Sequence, residues 1–115
     1  PYWNLEKYNN ENGLDKIKHW KTFLEEYEKL WKRVTKKASS GAKYCIMVGD
    51  WRKNHVFYDF TYQTEKIMER CGMIPFDKII LSYKKISPIK IMLPQTKRLG
   101  YTVKVHQYLL IYEKK

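Results

Sequence analysis

Tyr44-Cys45-Ile46-Met47-Val48-Gly49-Asp50 (YCIMVGD, residues 44–50) is the stretch that decides the fold. Its first five residues are apolar without alternation, and they follow a helical pattern and a turn that contains Gly41. A short continuous apolar run in this setting is typical of a strand that is buried on both faces, as in a parallel sheet. We therefore expect a strand over about 43–49, with Gly49 and Asp50 closing it.

Helical and extended patterns alternate on either side of this strand. Apolar residues recur at steps of three and four over about 15–37, which predicts a helix, and a second helix is expected over about 60–71. Further strands are expected over about 76–83 and about 103–112. This alternation indicates an α/β fold with a partly parallel sheet. Since no helix separates the last two strands, we expect them to be antiparallel, and we expect residues 51–58 to form a loop.

The charge balance points to a polyanionic partner. The 115 residues contain 23 Lys and Arg against 12 Asp and Glu, a formal net charge of +11. With 43% hydrophobic and 30% charged residues, the chain has the composition of a soluble globular domain, either one domain or part of one. A strongly basic balance favours nucleic acid over an acidic membrane, although a solvated lysine-rich surface is the alternative. No stretch approaches the roughly 18 apolar residues of a membrane span.

The cysteines and histidines do not form a recognisable metal motif. Cys45 and Cys71 stand alone, without the paired spacing of a zinc site, and the three histidines are scattered. We expect two buried free thiols, no metal site, and therefore a cytoplasmic protein in a reducing compartment.

A long basic segment precedes the last strand. Residues 84–102 contain Pro88, Pro94 and Gly100 and are expected to form a loop, which at this length is usually functional or disordered. Its cations alternate with apolar side chains, a pattern suited to phosphate contacts on nucleic acid. The alternative is a solvated loop whose Ile-Met-Leu segment packs into the core. The candidate nucleic-acid-binding residues are Lys84, Lys85, Lys90, Lys97 and Arg98.

Four motifs carry a resemblance to a known family. They are Pro1-Tyr2-Trp3, Val48-Gly49-Asp50-Trp51-Arg52, Ile91-Met92-Leu93-Pro94 and His106-Gln107-Tyr108-Leu109-Leu110. Over essentially its whole length the sequence resembles the C-terminal half of an S-adenosylmethionine-dependent DNA methyltransferase that acts on exocyclic amino groups, N6 of adenine or N4 of cytosine. The resemblance implies a Rossmann-like seven-stranded sheet, in which the final strand lies antiparallel between its two neighbours. It also implies a possible restriction–modification setting.

The resemblance assigns roles to the first residues of the chain. The family's catalytic motif is an acidic residue (or Asn or Ser), two prolines and an aromatic residue that stacks on a flipped base. By this match Pro1 is the second proline, Tyr2 is the stacking aromatic residue, and Trp3 lines the target-base pocket. Asp50 and Arg52 follow a strand end, where α/β folds bind ligands, and are expected to shape the same pocket. A helix cap or a local ion pair is the alternative for both.

The same match implies that these residues are one part of a larger enzyme. The acidic residue, the first proline and the Gly-rich cofactor loop of the family are not in this sequence. We therefore expect S-adenosylmethionine as cofactor and DNA as partner of the intact protein, and an inactive fragment by itself. A missing N-terminal half, or a homodimer across the exposed sheet edge, would complete the fold. A non-catalytic nucleic-acid-binding module and an RNA methyltransferase fragment remain alternatives.

Overall fold

The computed structural model describes residues 3–4, 11–83, 93–94, 96–102 and 104–115. Pro1, Tyr2, Lys84, Lys85 and Lys90 therefore lie outside the described residues. The elements, in chain order, are a 3₁₀ turn Leu14–Lys16, α1 Trp20–Lys36, β1 Lys43–Val48, β2 Trp51–Lys53, β3 Val56–Tyr58, α2 Phe60–Arg70, β4 Met73–Ser82 and β5 His106–Lys114.

The main sheet has the strand order β1-β5-β4. The last strand, β5, lies in the centre and pairs antiparallel with both neighbours: Ile46 is opposite Leu110 on one side, and Ile80 is opposite Tyr108 on the other. The predicted α/β class and the antiparallel pairing of the last two strands are therefore confirmed. β1 and β4 run in the same direction, but β5 separates them, so the described strands form no parallel pair.

Both helices cover the same face of this sheet. The Tyr44 hydroxyl donates to the Val34 carbonyl of α1 at 3.2 Å, and the Lys78 ammonium on β4 bonds the Glu65 carboxylate of α2 at 2.7 Å. Between the helices and the sheet lies one apolar core, because the inward residues of β1 and β5, together with Met73 at the start of β4, meet the apolar stripes of α1 and α2. The core includes Phe23, Tyr27, Ile46, Val48, Phe60, Ile67, Met68, Leu110 and Tyr112.

The opposite face of the sheet is uncovered by the described residues, and this overturns one prediction. Along β1, Ile46 and Val48 are buried whereas Cys45 and Met47 are exposed, with Met47 retaining 58% of its accessible surface. Among the described residues, the expected burial of this strand on both faces is therefore not observed, nor is the expected burial of the Cys45 thiol. Both cysteines are free, and Cys71 is partly buried. A single layer of helices can bury only every second residue of a strand.

The first predicted helix is divided into two elements. After the 3₁₀ turn, Ile17 adopts an extended conformation (φ −71°, ψ 128°), and α1 starts only at Trp20. The Trp3 indole donates to the Ile17 carbonyl at 2.6 Å. That carbonyl would otherwise accept the N–H four residues later in a continuous helix. A contact that is distant in sequence thus accompanies the break that local periodicity does not show.

Residues 51–58 form a β-hairpin, so the prediction of a loop here is wrong. Arg52 in β2 is opposite Phe57 in β3, and the strands are joined by Asn54 and His55, both with positive φ (51° and 66°). Two consecutive left-handed residues are the geometry of a tight hairpin turn, which Asn tolerates well. Asn-His is a weaker sequence signal than Asn-Gly, and each strand is three residues long, too short to show a period.

The remaining boundaries differ modestly from expectation. β4 starts at Met73, directly after Gly72, whose φ of +75° ends α2 in the conformation favoured by glycine. β5 starts at His106 and extends to Lys114. In the basic segment that was expected to be a loop, residues 93–94 and 96–99 are helical.

Candidate nucleic-acid interface

The carboxyl ends of β1 and β4 lie at one edge of the sheet, because the two strands run in the same direction. We call this the carboxyl edge: Gly49 and Asp50 follow β1, and Tyr83 follows β4. The β2–β3 hairpin directly follows Asp50, and the Tyr83 N–H donates to the Val105 carbonyl at 2.9 Å just before β5. The predicted site residues that the structure describes are at or near this edge.

Asp50 is bonded to the start of α2. Its Oδ1 accepts the backbone N–H of Thr61, the second residue of that helix, at 2.8 Å. A carboxylate at this place satisfies one of the unpaired N–H groups of the first turn and interacts favourably with the helix dipole. Asp59 occupies the N-cap position but makes no capping hydrogen bond there. The helix-cap alternative for Asp50 therefore matches its observed contact, and its role in a target-base pocket stays a prediction.

Trp3 lies in the aromatic core rather than on the surface. It is 7% exposed, and its ring centroid lies 5.5 Å from that of Trp20, 6.1 Å from that of Phe23 and 5.4 Å from that of Tyr58. These contacts are those of a packing residue, and they anchor the chain directly after Pro1 and Tyr2. The assignment of Trp3 to the lining of the pocket stays a prediction.

Asn4 continues this anchor on the inner face of the hairpin. Its side-chain oxygen accepts the Trp51 indole N–H at 3.2 Å, and its backbone carbonyl accepts the Lys53 ammonium. Trp51 and Lys53 alternate with Arg52 along β2, so Arg52 projects from the opposite, outer face of the hairpin.

Arg52 packs over two aromatic rings on that outer face. Its guanidinium carbon lies 4.0 Å from the centroid of the Tyr101 ring and 5.5 Å from that of Phe57, and Nη1 donates to the His55 carbonyl at 3.1 Å. The Lys104 ammonium lies 5.1 Å from the Phe57 centroid, and His55 Nδ1 is 3.0 Å from the Tyr101 hydroxyl. We call these residues the aromatic–cation cluster: Arg52, His55, Phe57, Tyr101 and Lys104.

The cluster joins two distant parts of the chain, the hairpin and the segment before β5. Tyr101 comes three residues after Arg98, beyond Gly100, whose N–H donates to the Thr96 carbonyl at 2.8 Å. Lys97 and Arg98 are both exposed on this helical stretch. The structure thus places these two predicted DNA-binding residues on the segment that Tyr101 joins to Arg52. The sequence did not single out His55 or Phe57. It marked Tyr101 and Lys104 only as parts of a basic, aromatic stretch and did not connect them with Arg52, since only the fold brings position 101 to position 55.

The cations at this edge are not neutralised by carboxylates. Throughout the described ranges, Arg52, Lys97, Arg98 and Lys104 form no ion pair with Asp or Glu. The helices differ: Glu28 on α1, for example, pairs with Lys32 at 2.9 Å and with Arg70 at 2.7 Å. Positive charge is therefore left available at this edge, the condition for binding a polyanion.

The described part of the chain lacks the features of two other protein classes. No cluster of three or more His, Cys, Asp or Glu side chains that could bind a metal occurs there. No helix in those ranges has the length and apolar character needed to cross a bilayer.

The same fold occurs in crystal structures of a protein from Thermus thermophilus named "Putative DNA Modification Methylase". Its selenomethionine derivative is 20% identical, with a TM-score of 0.64 over 87% of this chain and 40% of that chain. Its complex with S-adenosyl-L-methionine is 19% identical, with a TM-score of 0.61 over 83% of this chain and 38% of that chain. The chain shares its fold with part of this protein. A third structure is 20% identical over 94% of this chain and 42% of that one, with a TM-score of 0.63.

The chain therefore spans about two-fifths of the length of the protein whose fold it shares. No protein-family model matches the sequence, and no curated protein matches it. The shared fold is therefore established by comparison of three-dimensional structures, since the sequence identity is too low for sequence comparison alone to detect it.

Proposed function

We propose that this chain is part of a DNA methyltransferase that transfers a methyl group to an exocyclic amino group, N6 of adenine or N4 of cytosine. The observation that carries the proposal is the fold shared with the Thermus thermophilus protein over 87% of this chain. The Pro1-Tyr2-Trp3 motif supports it, because Tyr2 follows a proline as the base-stacking residue of such enzymes does. Restriction–modification and a Rossmann-like sheet belong to this proposal as well.

The anchored residues after the motif support a role for Tyr2 in holding the base. A flipped base needs a stacking partner at a defined position, since a misplacement of about 1 Å can lower a rate about a hundredfold. Trp3 is fixed by the core, and Asn4 is fixed by Trp51 and Lys53. In the proposal, Pro1 and Tyr2 grip the base, and Trp3, Asp50 and Arg52 shape the surrounding pocket.

The described residues do not fit a binding site for S-adenosylmethionine. The carboxylate at the carboxyl edge, Asp50, already accepts the Thr61 N–H, and β1 leads through Gly49 and Asp50 into the hairpin instead of a Gly-rich loop. We propose that the donor binds to the remaining part of the fold, about three-fifths of the length of the matched protein. These residues alone are then inactive.

The uncovered face of the sheet supports this division. We call it the outer face; it includes Cys45, Met47, Phe76 and Ile79, and the last three are exposed by 58%, 57% and 42%. Apolar surface on this scale usually marks an interaction site. We propose that the remaining part of the methyltransferase fold covers it. The second possible occupant, another copy of this chain, is an outcome of the labelling experiment in the Discussion.

Methyl transfer tests the proposed function directly. The complete polypeptide that contains these residues is incubated with DNA and tritiated S-adenosylmethionine. The DNA is digested, and the nucleosides are separated by chromatography and identified by mass spectrometry. N6-methyldeoxyadenosine or N4-methyldeoxycytidine is expected. Tyr2→Ala should lower the rate of its formation by about five- to 150-fold, since base stacking contributes about 1–3 kcal/mol. Tyr62→Ala, an exposed change on α2, is the matched control.

Three results would contradict the proposal. Label on RNA alone would favour the RNA methyltransferase alternative. DNA binding without any methylated nucleoside would favour the non-catalytic binding module. Turnover by the 115 residues alone would refute the proposed division of the fold.

A further inference from the structure

The aromatic–cation cluster holds its cations in an unusual way, by rings instead of carboxylates. An aromatic ring attracts a guanidinium or an ammonium but does not cancel its charge, and it takes up none of its N–H donors. For Arg52, the bond to the His55 carbonyl is the one hydrogen bond formed with described residues. The guanidinium therefore remains a positioned, positively charged donor.

The position of Arg52 follows from the hairpin register. Phe57 is its cross-strand partner, and Tyr101 approaches from the segment before β5 at 4.0 Å. Arg52 and Lys104 are exposed, and each contacts the Phe57 ring. Since both cations contact the same ring and both are exposed, the cluster holds two positive charges close together where water reaches them.

We infer that this cluster binds a phosphodiester of a nucleic-acid strand, with Arg52 as the anchoring residue. The guanidinium is planar, weakly hydrated and able to bond two phosphate oxygens at once, which suits it to this ligand better than an ammonium. The inference deepens the proposed function, since it concerns how the same edge holds DNA. It adds a phosphate contact to the role of Arg52 beside the base pocket in the proposed function.

The competing explanation is that Arg52 only attaches the segment around Tyr101 to the hairpin. Both explanations predict that its loss perturbs binding, so affinity alone does not separate them. The salt dependence of binding does, because each phosphate that a protein contacts releases counterions. The slope of log K against log salt is negative, and loss of one such contact makes it less steep by about 0.9 on duplex DNA and by about 0.7 on a single strand.

The test measures binding of the protein to a short fluorescein-labelled duplex by anisotropy, from about 50 to 200 mM KCl. Arg52→Gln should weaken binding about tenfold and make the negative slope less steep by about 0.9. Arg52→Lys keeps the charge, so its slope should stay close to that of the wild type, while its affinity should still be below the wild-type value. If Arg52→Gln does not fold, Arg52→Lys still tests the inference, because a wild-type affinity for Arg52→Lys would overturn the anchoring role.

The matched control is Arg33→Gln, which removes the same charge elsewhere. Arg33 is exposed in the last turn of α1, near the amino end of β1 and so at the opposite end of that strand from the hairpin. Its slope should stay at the wild-type value. Equal slopes for Arg33→Gln and Arg52→Gln would overturn the inference. So would competition by inorganic phosphate at matched ionic strength, which would assign the cluster to free phosphate.

The binding experiment and the methylation assay can fail independently of each other. An Arg52-dependent slope with no methylated nucleoside supports the inference and refutes the proposed function. Methylation with an unchanged slope in Arg52→Gln does the opposite.

Discussion

Replacement of Trp3 should destabilise the protein more than its place near the start of the chain suggests. Trp3→Ala removes the ring contacts with Trp20, Phe23 and Tyr58 as well as the bond to the Ile17 carbonyl. Large-to-small changes of buried aromatic residues cost about 3–5 kcal/mol, so we expect about 4 kcal/mol here. A chain of 115 residues has a total stability of about 6 to 17 kcal/mol.

Trp3→Phe separates the hydrogen bond from the packing. It keeps an aromatic ring but leaves the Ile17 carbonyl without the indole donor, so we expect a loss of about 2 kcal/mol. The assay is urea denaturation followed by circular dichroism. With a slope near 2 kcal/mol per M, the midpoint should fall by about 2 M for Trp3→Ala and by about 1 M for Trp3→Phe.

Tyr62→Ala is the matched control for these variants. Tyr62 is 52% exposed on α2, so its midpoint should move by about 0.3 M or less. If Trp3→Ala shifts the midpoint no more than Tyr62→Ala does, Trp3 is not a core residue and the anchoring argument for Tyr2 fails. A Trp3→Phe shift as large as that of Trp3→Ala would instead assign the whole effect to the hydrogen bond.

Two further predictions concern an ion pair and the cysteines. Hydrogen bonds from Arg70, and then from Lys32, lower the pKa of Glu28 to about 2. Its ion pair therefore stabilises the fold above the ordinary pKa of about 4.5, and this contribution is lost as pH falls toward 2; because Arg70 is 51% exposed, it should not exceed about 1 kcal/mol. The difference in urea midpoint between wild type and Glu28→Gln should shrink between about pH 5 and pH 2, and a constant difference would contradict the assignment. In these 115 residues alone, iodoacetamide should label Cys45 faster than Cys71, since burial raises the pKa of the Cys71 thiol. In the complete polypeptide Cys45 should become protected from iodoacetamide, while Cys71 keeps its labelling rate. If Cys45 is already protected in the 115 residues alone, and light scattering gives a dimeric mass, the occupant of the outer face is a second copy of this chain.

The elements of the fold were largely predictable, because helices and strands leave a period in the sequence. The apolar stripe from Trp20 to Val34 and the run from Tyr44 to Val48 each coincide with an element of the expected type. The hairpin at 51–58 was not predictable, since three-residue strands show no period and the turn depends on two residues with positive φ.

The candidate site was predictable only in part. Asp50 and Arg52 could be located because they follow a strand end, a position where α/β folds gather ligands. Their contacts could not be predicted: Asp50 bonds a helix that starts ten residues later, and Arg52 packs on a ring at position 101. Neither partner lies within the few residues over which local patterns act.

The sequence by itself determined the α/β class, the order of the main elements, the basic charge and the antiparallel pairing of the last two strands. These follow from side-chain periodicity and composition, which are local or additive properties. Only the tertiary structure decided that both helices cover one face, that the first helix is broken at Ile17 where Trp3 bonds the carbonyl, and that Tyr101 meets Arg52. Each of these features depends on contacts between residues that are distant in sequence. Burial and cation–π attraction depend on the distance between side chains in space, and not on their separation in sequence.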